Sequence, residues 1–279
     1  MAAPTLIGGH QAGLAATLRR DQWWVEPLLT GVGFALFVIY ANWAAFQGAY
    51  YWYGSYLSPF YSPILFVDPS VPGAAPLEHA WFGMWPQWLR SIWPPFLPAS
   101  PAWLILAGPL SFRATCYYYR KAYYRAFFLD PAACGVDEGG KRHKYKGESA
   151  FPFILQNVHR YFFLFTMFFL GFLWYDTVLA FRWDGRFGIG LGTLIMLTNI
   201  VLLTLYSLSC HSLRHLVGGK LDCFSCANFG GARHSAWKSV SWLNDRHMLF
   251  AWLSLCSVGL TDFYIRLVAS GAVHDIRIL

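Results

Sequence analysis

Five stretches of about 20 mostly apolar residues run along the chain, and the segments between them carry most of its charge. At 1.5 Å per residue, a helix of that length crosses the roughly 30 Å hydrocarbon layer of a bilayer. The pattern predicts an all-α membrane protein with a five-helix transmembrane bundle, in which residues 1–279 form a single transmembrane domain. The predicted spans are residues 27–46, 101–119, 158–181, 187–209 and 248–269.

Charged residues interrupt two of these stretches. Arg113 lies within the second, while Asp262 and Arg266 lie four residues apart within the fifth. Residues at that spacing share one face of a helix, and pairing lowers the cost of placing opposite charges in lipid. Asp262 and Arg266 are therefore candidates for an ion pair inside the bundle.

Composition and charge agree with a membrane location. Hydrophobic residues make up 56% of the chain and charged residues only 13%, whereas a soluble domain carries about 25% charge. Basic residues precede the first span and follow the second and the fourth, so the positive-inside rule predicts a cytoplasmic N-terminus and an outer C-terminus. The formal charge of +7 then reflects topology, and no nucleic-acid partner is expected. Residues 1–21 lack the pattern of a cleavable signal peptide.

The long connection between the first two spans is rich in aromatic residues and proline. It covers residues 48–100 and includes Trp81, Trp85, Trp88 and Trp93. Tryptophan favours the headgroup layer of a bilayer. We therefore expect an aromatic outer loop whose short pieces contact lipid and pack over the outer face.

Five of the six cysteines fall on the predicted cytoplasmic side, where thiols are kept reduced. Disulfide bonds are therefore not expected, and metal binding becomes the competing explanation. Cys223 and Cys226 have the spacing of a chelating pair. Cys116 and Cys134 lie on either side of a tyrosine-rich basic helix end. Its aromatic and basic residues are typical of an interfacial anchor, and a turn at residues 130–133 is expected to fold Cys134 back toward Cys116.

Histidines lie at the ends of several predicted spans. His211 and His215 are four residues apart, so their side chains share a helical face and can bind one metal ion, whereas Cys210 points about 100° away. His159 and His247 begin spans three and five, where they are candidate axial ligands of haem b. Buried cations and imidazoles also suit a quinone carbonyl, so the predicted quinone contacts are Arg113, His159 and Arg160.

Four sequence motifs together resemble the five-helix membrane anchor of actinobacterial succinate dehydrogenase. The resemblance extends over most of the chain from the second span onward. Its motifs are TCYYYRKAYYR at 115–125, PAAC at 131–134, QNVHRYF at 156–162 and CHSLRH at 210–215.

The resemblance implies a subunit of the bacterial plasma membrane that does not itself oxidise succinate. A flavoprotein subunit and an iron–sulfur subunit on the cytoplasmic side would supply electrons, which pass through this chain to membrane quinone. A small extra membrane subunit and a higher oligomer of the whole complex are further implied partners.

In the mycobacterial members of the family, the anchor holds a membrane-embedded Rieske-type [2Fe–2S] cluster and no haem. Such a cluster has two cysteines on one iron and two histidines on the other. The resemblance favours Cys116 and Cys134 as the two thiolate ligands. The alternative thiolates are Cys210, Cys223 and Cys226. The two imidazole ligands are assigned to His211 and His215, because their helical spacing lets both reach one iron. Two other functions stay open: a haem b quinone-reducing anchor, and a non-catalytic membrane protein with a structural zinc site.

Overall fold

The computed structural model describes residues 16–17, 19–138, 149–151, 153–183, 185–219 and 221–279. Within those residues the chain forms ten α-helices: α1 (Val25–Gln47), α2 (Gln87–Ile92), α3 (Ala102–Ile105), α4 (Ala107–Ala114), α5 (Tyr117–Phe128), α6 (His159–Leu179), α7 (Leu191–Leu208), α8 (His211–Gly218), α9 (Gly230–Asn244) and α10 (His247–Ala269). Short 3-10 helices cover Leu77–His79 and Phe153–Val158. Two antiparallel hairpins pair β1 (Trp52–Tyr53) with β2 (Tyr56–Leu57) and β3 (Arg182–Trp183) with β4 (Arg186–Phe187).

Four of the five predicted spans are confirmed as long apolar helices. In the described part of the chain, the helices long and apolar enough to cross a bilayer are α1, Ile154–Leu179 (which contains α6), α7 and α10. These four are the predicted spans one, three, four and five, with ends shifted by a few residues. The protein is therefore an all-α membrane protein with several membrane-spanning helices.

The prediction of one continuous helix over residues 101–119 is wrong. The segment is divided among α3, α4 and the first turn of α5. Pro109 explains the first break, because its ring clashes with the carbonyl of residue 105, where α3 ends. Cys116 explains the second, since its extended backbone (ψ 129°) separates α4 from α5.

The chain divides into two compact units. The smaller unit comprises the described residues of Met1–Val38 and Arg113–Val158, and the larger unit comprises those of Ile39–Phe112 and His159–Leu279. In the smaller unit, the first part of α1 packs on α5, where the ring centroids of Phe34 and Tyr119 are 5.3 Å apart. In the larger unit, α7 contacts both α6 and α10.

The aromatic outer loop enters the larger unit as well as covering it. Tyr51, Tyr56 and Tyr61 are fully buried, and the rings of Tyr51 and Tyr61 stack at 4.3 Å. The ring centroids of Trp81 and Phe172 are 4.9 Å apart. Phe172 lies in α6, seven residues, or about 10 Å, before the end of that helix. Part of this loop therefore lies at membrane depth, where non-helical backbone is tolerated only when protein surrounds it.

A buried ion pair connects α10 to the outer loop and to α1. Asp262 is 0% exposed, and one of its carboxylate oxygens accepts from Nε of Arg266 at 2.7 Å, which confirms the predicted pair. The same carboxylate accepts from the hydroxyls of Tyr40 and Ser58. Arg266 donates its other N–H groups to the carbonyls of Ala44 and Ala49, so it caps the end of α1.

A second buried carboxylate fixes the other side of the same loop. Asp176, near the end of α6, accepts a hydrogen bond from Ser62 and lies 3.2 Å from Nε2 of His79. Ser62 is only four residues from Ser58, so one short turn of the loop contacts buried carboxylates on α6 and on α10. This arrangement explains how the loop stays ordered between helices.

The C-terminal tail is held against the start of α7. The Asp275 carboxylate accepts from the backbone N–H of Gly192 at 3.0 Å and from the hydroxyls of Tyr264 (2.5 Å) and Tyr56 (2.8 Å). A carboxylate at a helix N-terminus satisfies N–H groups that have no partner within the helix. The tail therefore stabilises the same end of the larger unit as the outer loop does.

We predict that Asp262→Ala destabilises the protein by about 3–5 kcal/mol, because it leaves the Arg266 guanidinium buried without its counter-charge. The measurement is thermal and denaturant unfolding in detergent, with Asp68→Ala as the matched control. Asp68 pairs with a half-exposed arginine, Arg90, so its loss should cost at most about 1 kcal/mol.

The double variant Asp262→Ala/Arg266→Met should recover part of the lost stability, because it removes the unpaired charge as well. Equal stability of the Asp262→Ala and Asp68→Ala variants would show that the buried pair does not organise the fold.

Candidate functional site

The larger unit brings three helix ends together. α6 begins at His159, α7 ends just before Cys210, and α10 begins at His247. Nε2 of His159 lies 3.1 Å from Sγ of Cys210, and the rings of His247 and Tyr206 stack at 5.1 Å. The start of α6, the end of α7 and the start of α10 therefore form one site at one edge of the bundle.

The His159–Cys210 pair is buried. His159 is 4% exposed and Cys210 is 1% exposed. The extended backbone of Cys210 makes it the N-cap of α8, and its sulfur accepts from the backbone N–H of Ser212 at 3.4 Å. A thiol and an imidazole in direct contact, shielded from water, are soft donors suited to zinc, copper or iron–sulfur groups.

Aromatic rings fix both histidines of this edge. The His159 ring stacks on Phe112 at 4.7 Å, Phe112 contacts Tyr206 at 5.5 Å, and Tyr206 stacks on His247. Nδ1 of His247 lies 2.7 Å from the hydroxyl of Ser209. Because the rings of Phe112 and Tyr206 connect the two imidazoles, no porphyrin-sized gap separates them. This arrangement does not fit the haem b alternative.

His211 and His215 lie on α8, as their spacing predicted. Both side chains are exposed in the chain as described. α8 is tied to α9 by Arg214, whose Nε donates to the Ser241 hydroxyl at 3.0 Å, and by Arg233, which donates to the carbonyl of Val217. The two histidines are therefore carried by a fixed helix that begins immediately after Cys210.

Cys116 and Cys134 belong to the smaller unit. Cys116 is 3% exposed and is the N-cap of α5, whereas Cys134 is exposed. The backbone N–H of Ala133 donates to Glu138, which pairs with Arg125 at 2.8 Å. Arg125 is nine residues beyond Cys116, or about 13 Å along the helix axis. These contacts place Cys134 beside the later part of α5, so its approach to Cys116 stays a prediction.

The expectation that the cysteines form no disulfide is wrong for one pair. Cys223 and Cys226 are joined by a disulfide bond, with their Cα atoms 5.4 Å apart. The two intervening residues form a turn that brings the Cα atoms into the range that a disulfide requires. While bonded to each other, these sulfurs are not thiolate ligands, so the structure does not support them as the alternative cluster cysteines or as a zinc site.

The predicted quinone residues lie in both units. In the larger unit, His159 points into the protein while its neighbour Arg160 is exposed. In the smaller unit, Arg113 is half-buried, and its Nη1 donates to the Tyr119 hydroxyl at 2.7 Å. The buried imidazole is thus adjacent in sequence to an exposed cation. The assignment of these three residues to a quinone stays a prediction.

Among the residues that the structure describes, no three His, Cys, Asp or Glu side chains form a group that would hold a metal ion. The complete set of Cys116, Cys134, His211 and His215 therefore stays a sequence-based prediction. The contact that sequence reasoning missed is His159 with Cys210. The two are 51 residues apart, and no local spacing indicates it.

The arrangement defines a class of protein: a helical, multi-pass membrane protein with a buried cysteine–histidine pair at one membrane edge. The chain belongs to the family described as actinobacterial succinate dehydrogenase subunit SdhC, whose model matches residues 25–271. It is therefore a membrane subunit of succinate dehydrogenase, as the sequence motifs indicated.

A solved structure agrees with this family. A chain of the "Mycobacterium smegmatis Sdh1 complex in the apo form" is 45% identical, with a TM-score of 0.81. The match covers 99% of this chain and 100% of that chain. The search of curated proteins found no match.

We predict that Cys223 and Cys226 resist alkylation in denatured, non-reduced protein and react only after a reductant is added. The measurement is peptide mass spectrometry, with exposed Cys134 as the control that reacts in both conditions. Complete alkylation of Cys223 and Cys226 without a reductant would contradict the disulfide.

Proposed function

We propose that this subunit anchors succinate dehydrogenase to the membrane and transfers electrons from an iron–sulfur partner to membrane quinone. The observation that carries the proposal is the buried contact between His159 and Cys210 at the edge of an SdhC-family bundle. Electron transfer between a soluble partner and a lipid-dissolved acceptor needs a redox group at that depth. A thiol in contact with an imidazole, both buried, offers a sulfur and a nitrogen donor for such a group.

The donor types fit a Rieske-type cluster better than they fit haem or zinc. His159 and Cys210 supply one nitrogen and one sulfur from a buried site, and His211 follows Cys210 directly. We therefore add His159 to the candidate ligands Cys116, Cys134, His211 and His215, and this contact supports Cys210, the alternative cysteine, as a further candidate. When bound, such a cluster supplies one-electron transfer at a potential above that of all-thiolate clusters.

The surrounding residues orient the donors and exclude water. Phe112 stacks on the His159 ring and thereby fixes the direction of its nitrogens. The N-cap position of Cys210 directs its sulfur toward the start of α8, where backbone N–H groups favour a thiolate. Tyr206 and His247 continue the aromatic packing on the far side of Phe112 and close that route to solvent.

Quinone reduction requires proton and hydrogen-bond donors near the acceptor. We propose Arg113, His159 and Arg160 as polar contacts of the quinone, since the charge that develops on a quinone oxygen favours cations and imidazole N–H groups. His159 then has two candidate roles, as a cluster ligand and as a quinone contact. A substitution of His159 distinguishes the two roles, because loss of a cluster ligand alters the cluster, whereas loss of a quinone contact does not.

The partners implied by this function are the flavoprotein and iron–sulfur subunits of the complex, on the cytoplasmic side with the N-terminus. The proposed docking surface comprises the basic loops 120–150 and 214–246. Several basic residues of these loops lie outside the described residues: Lys141, Arg142, Lys144, Lys146 and Lys220. Within α9, Lys238 and Trp242 are exposed beside a groove of about 480 Å³, which gives the docking surface a cation and an aromatic side chain.

We predict that Cys210→Ser and His159→Ala abolish the electron paramagnetic resonance signal of a Rieske-type centre in the reduced, intact complex. Quinone reduction should be lost with the signal, because each change removes a donor. Succinate-dependent dye reduction by the partner subunits should persist. Cys256→Ser is the matched control, because Cys256 is nine residues beyond His247 on α10, or about 13 Å farther along the helix.

Survival of the signal in Cys210→Ser, together with its loss in Cys134→Ala, would return the ligand assignment to the cysteines of the smaller unit. If His159→Ala keeps the signal but loses quinone reduction, His159 is a quinone contact and not a ligand. A Soret band with no iron–sulfur signal in the intact complex would overturn the proposed cluster itself.

We predict that Lys238→Glu combined with Trp242→Ala weakens co-purification of the iron–sulfur subunit, because the change removes an aromatic contact and reverses a charge. The measurement is the ratio of subunits after affinity purification through this chain. Ser235→Ala, at an exposed position on the same helix, is the control. An unchanged ratio would place the docking surface elsewhere.

A further inference from the structure

The hairpin between α6 and α7 lies at the opposite end of the larger unit from the His159–Cys210 site. α6 starts at His159 and reaches the hairpin after Leu179, and α7 leads from the hairpin back toward Cys210. β3 and β4 pair Arg182 with Phe187 across the two strands. The hairpin therefore lies at the membrane edge that the sequence predicts to be the outer one.

An open groove borders this hairpin. Its volume is about 640 Å³, and it is lined by Val178, Phe181, Arg182, Gly185, Arg186 and Phe187. The rings of Phe181 and Phe187 stack at 5.8 Å with an interplanar angle of 14°. The groove is thus lined by two guanidinium groups and two stacked phenylalanine rings at the end of a membrane-spanning helix.

The charge of this hairpin differs from what its position predicts. Basic residues collect on the cytoplasmic side of membrane proteins, yet Arg182 and Arg186 are both exposed at the other edge. Of the carboxylates that the structure describes, none forms an ion pair with either arginine. Asp184 lies outside the described residues. In the sequence, its negative charge and the two positive charges of Arg182 and Arg186 give residues 182–186 a net charge of +1. Arg277 adds a cation over the Trp183 ring at 4.8 Å.

The groove continues into an apolar face of α6. Four apolar side chains of this face are 55–64% exposed: Leu164, Phe168, Tyr175 and Val178. They are three, four or seven residues apart, and this spacing places them on one side of the helix. Gly171 lies in the same row, and a side chain there would meet nothing within 4 Å. From Leu164 to Val178 the row is about 21 Å long, longer than the roughly 15 Å depth of one leaflet.

We propose that the hairpin groove binds an anionic phospholipid of the outer leaflet. Arg182 and Arg186 hold the phosphate, since a guanidinium matches phosphate oxygens in geometry and charge. The acyl chains lie against Phe181, Phe187 and the exposed row on α6. An amphiphile with an anionic head and long tails is the one occupant that accounts for both the cations and the adjoining apolar row, whereas a soluble anion uses only the cations.

Native mass spectrometry of the intact, detergent-purified complex tests the proposal, with phosphatidylglycerol, phosphatidylcholine and inorganic phosphate as probes. The wild type should retain phosphatidylglycerol in preference to phosphatidylcholine. Arg182→Gln/Arg186→Gln should weaken phosphatidylglycerol binding on the order of 30-fold, from the usual contribution of two basic residues at an anionic headgroup. Inorganic phosphate should not displace the lipid, because it lacks the apolar contact.

The charge-preserving variant Arg182→Lys/Arg186→Lys is the matched control and should keep most of the lipid preference. Gly171→Phe should weaken phosphatidylglycerol and phosphatidylcholine equally, because it fills the gap in the apolar row. Equal binding of the two lipids by the wild type, or unchanged phosphatidylglycerol binding after loss of both arginines, would overturn the proposal. Displacement of the lipid by inorganic phosphate would show a site for free anions instead.

Discussion

The buried Asp262–Arg266 pair is the interaction on which the larger unit depends. It lies at membrane depth, where an uncompensated charge is costly, and it is fully surrounded by partners from α1, α10 and the outer loop. Because Arg266 binds the carbonyl of Ala44 in α1 and that of Ala49 just beyond it, and Asp262 binds Ser58, one ion pair determines where three segments meet. With the Asp176–Ser62 contact, it holds the aromatic loop between helices at the end of the larger unit opposite the His159–Cys210 contact.

That opposite edge has a different composition, and its contacts explain why. Its polar groups include the Cys210 thiol, the imidazoles of His159 and His247, and the hydroxyls of Ser209 and Tyr206, with no buried carboxylate among the described residues there. Carboxylates would favour hard cations, whereas sulfur and imidazole favour the softer metals of electron transfer. The bundle thus keeps its buried carboxylates and ion pair near one membrane surface and a buried thiol and imidazoles near the other.

Most of the fold could be predicted from the sequence because apolar length determines it. Four spans were located to within a few residues, and the i, i+4 spacing of Asp262 and Arg266 indicated their pair. The second span failed because Pro109 and the extended Cys116 interrupt a segment whose composition alone looks continuous. The spacing within CHSLRH predicted that His211 and His215 share one helix, and α8 carries both. The contact between His159 and Cys210 was missed, because it joins two helices whose approach only tertiary packing determines.

We propose that this membrane subunit carries a redox centre with imidazole ligands, and isotope labelling of its histidines can detect those ligands. The intact complex would be prepared with ¹⁵N-histidine in this subunit alone, reduced, and studied by pulsed electron paramagnetic resonance. We expect couplings from two histidine nitrogens to an iron–sulfur centre, and these must come from this subunit because only its histidines are labelled. An iron–sulfur signal from this subunit with no ¹⁵N coupling, or no paramagnetic centre in it at all, would show that it holds no centre with imidazole ligands.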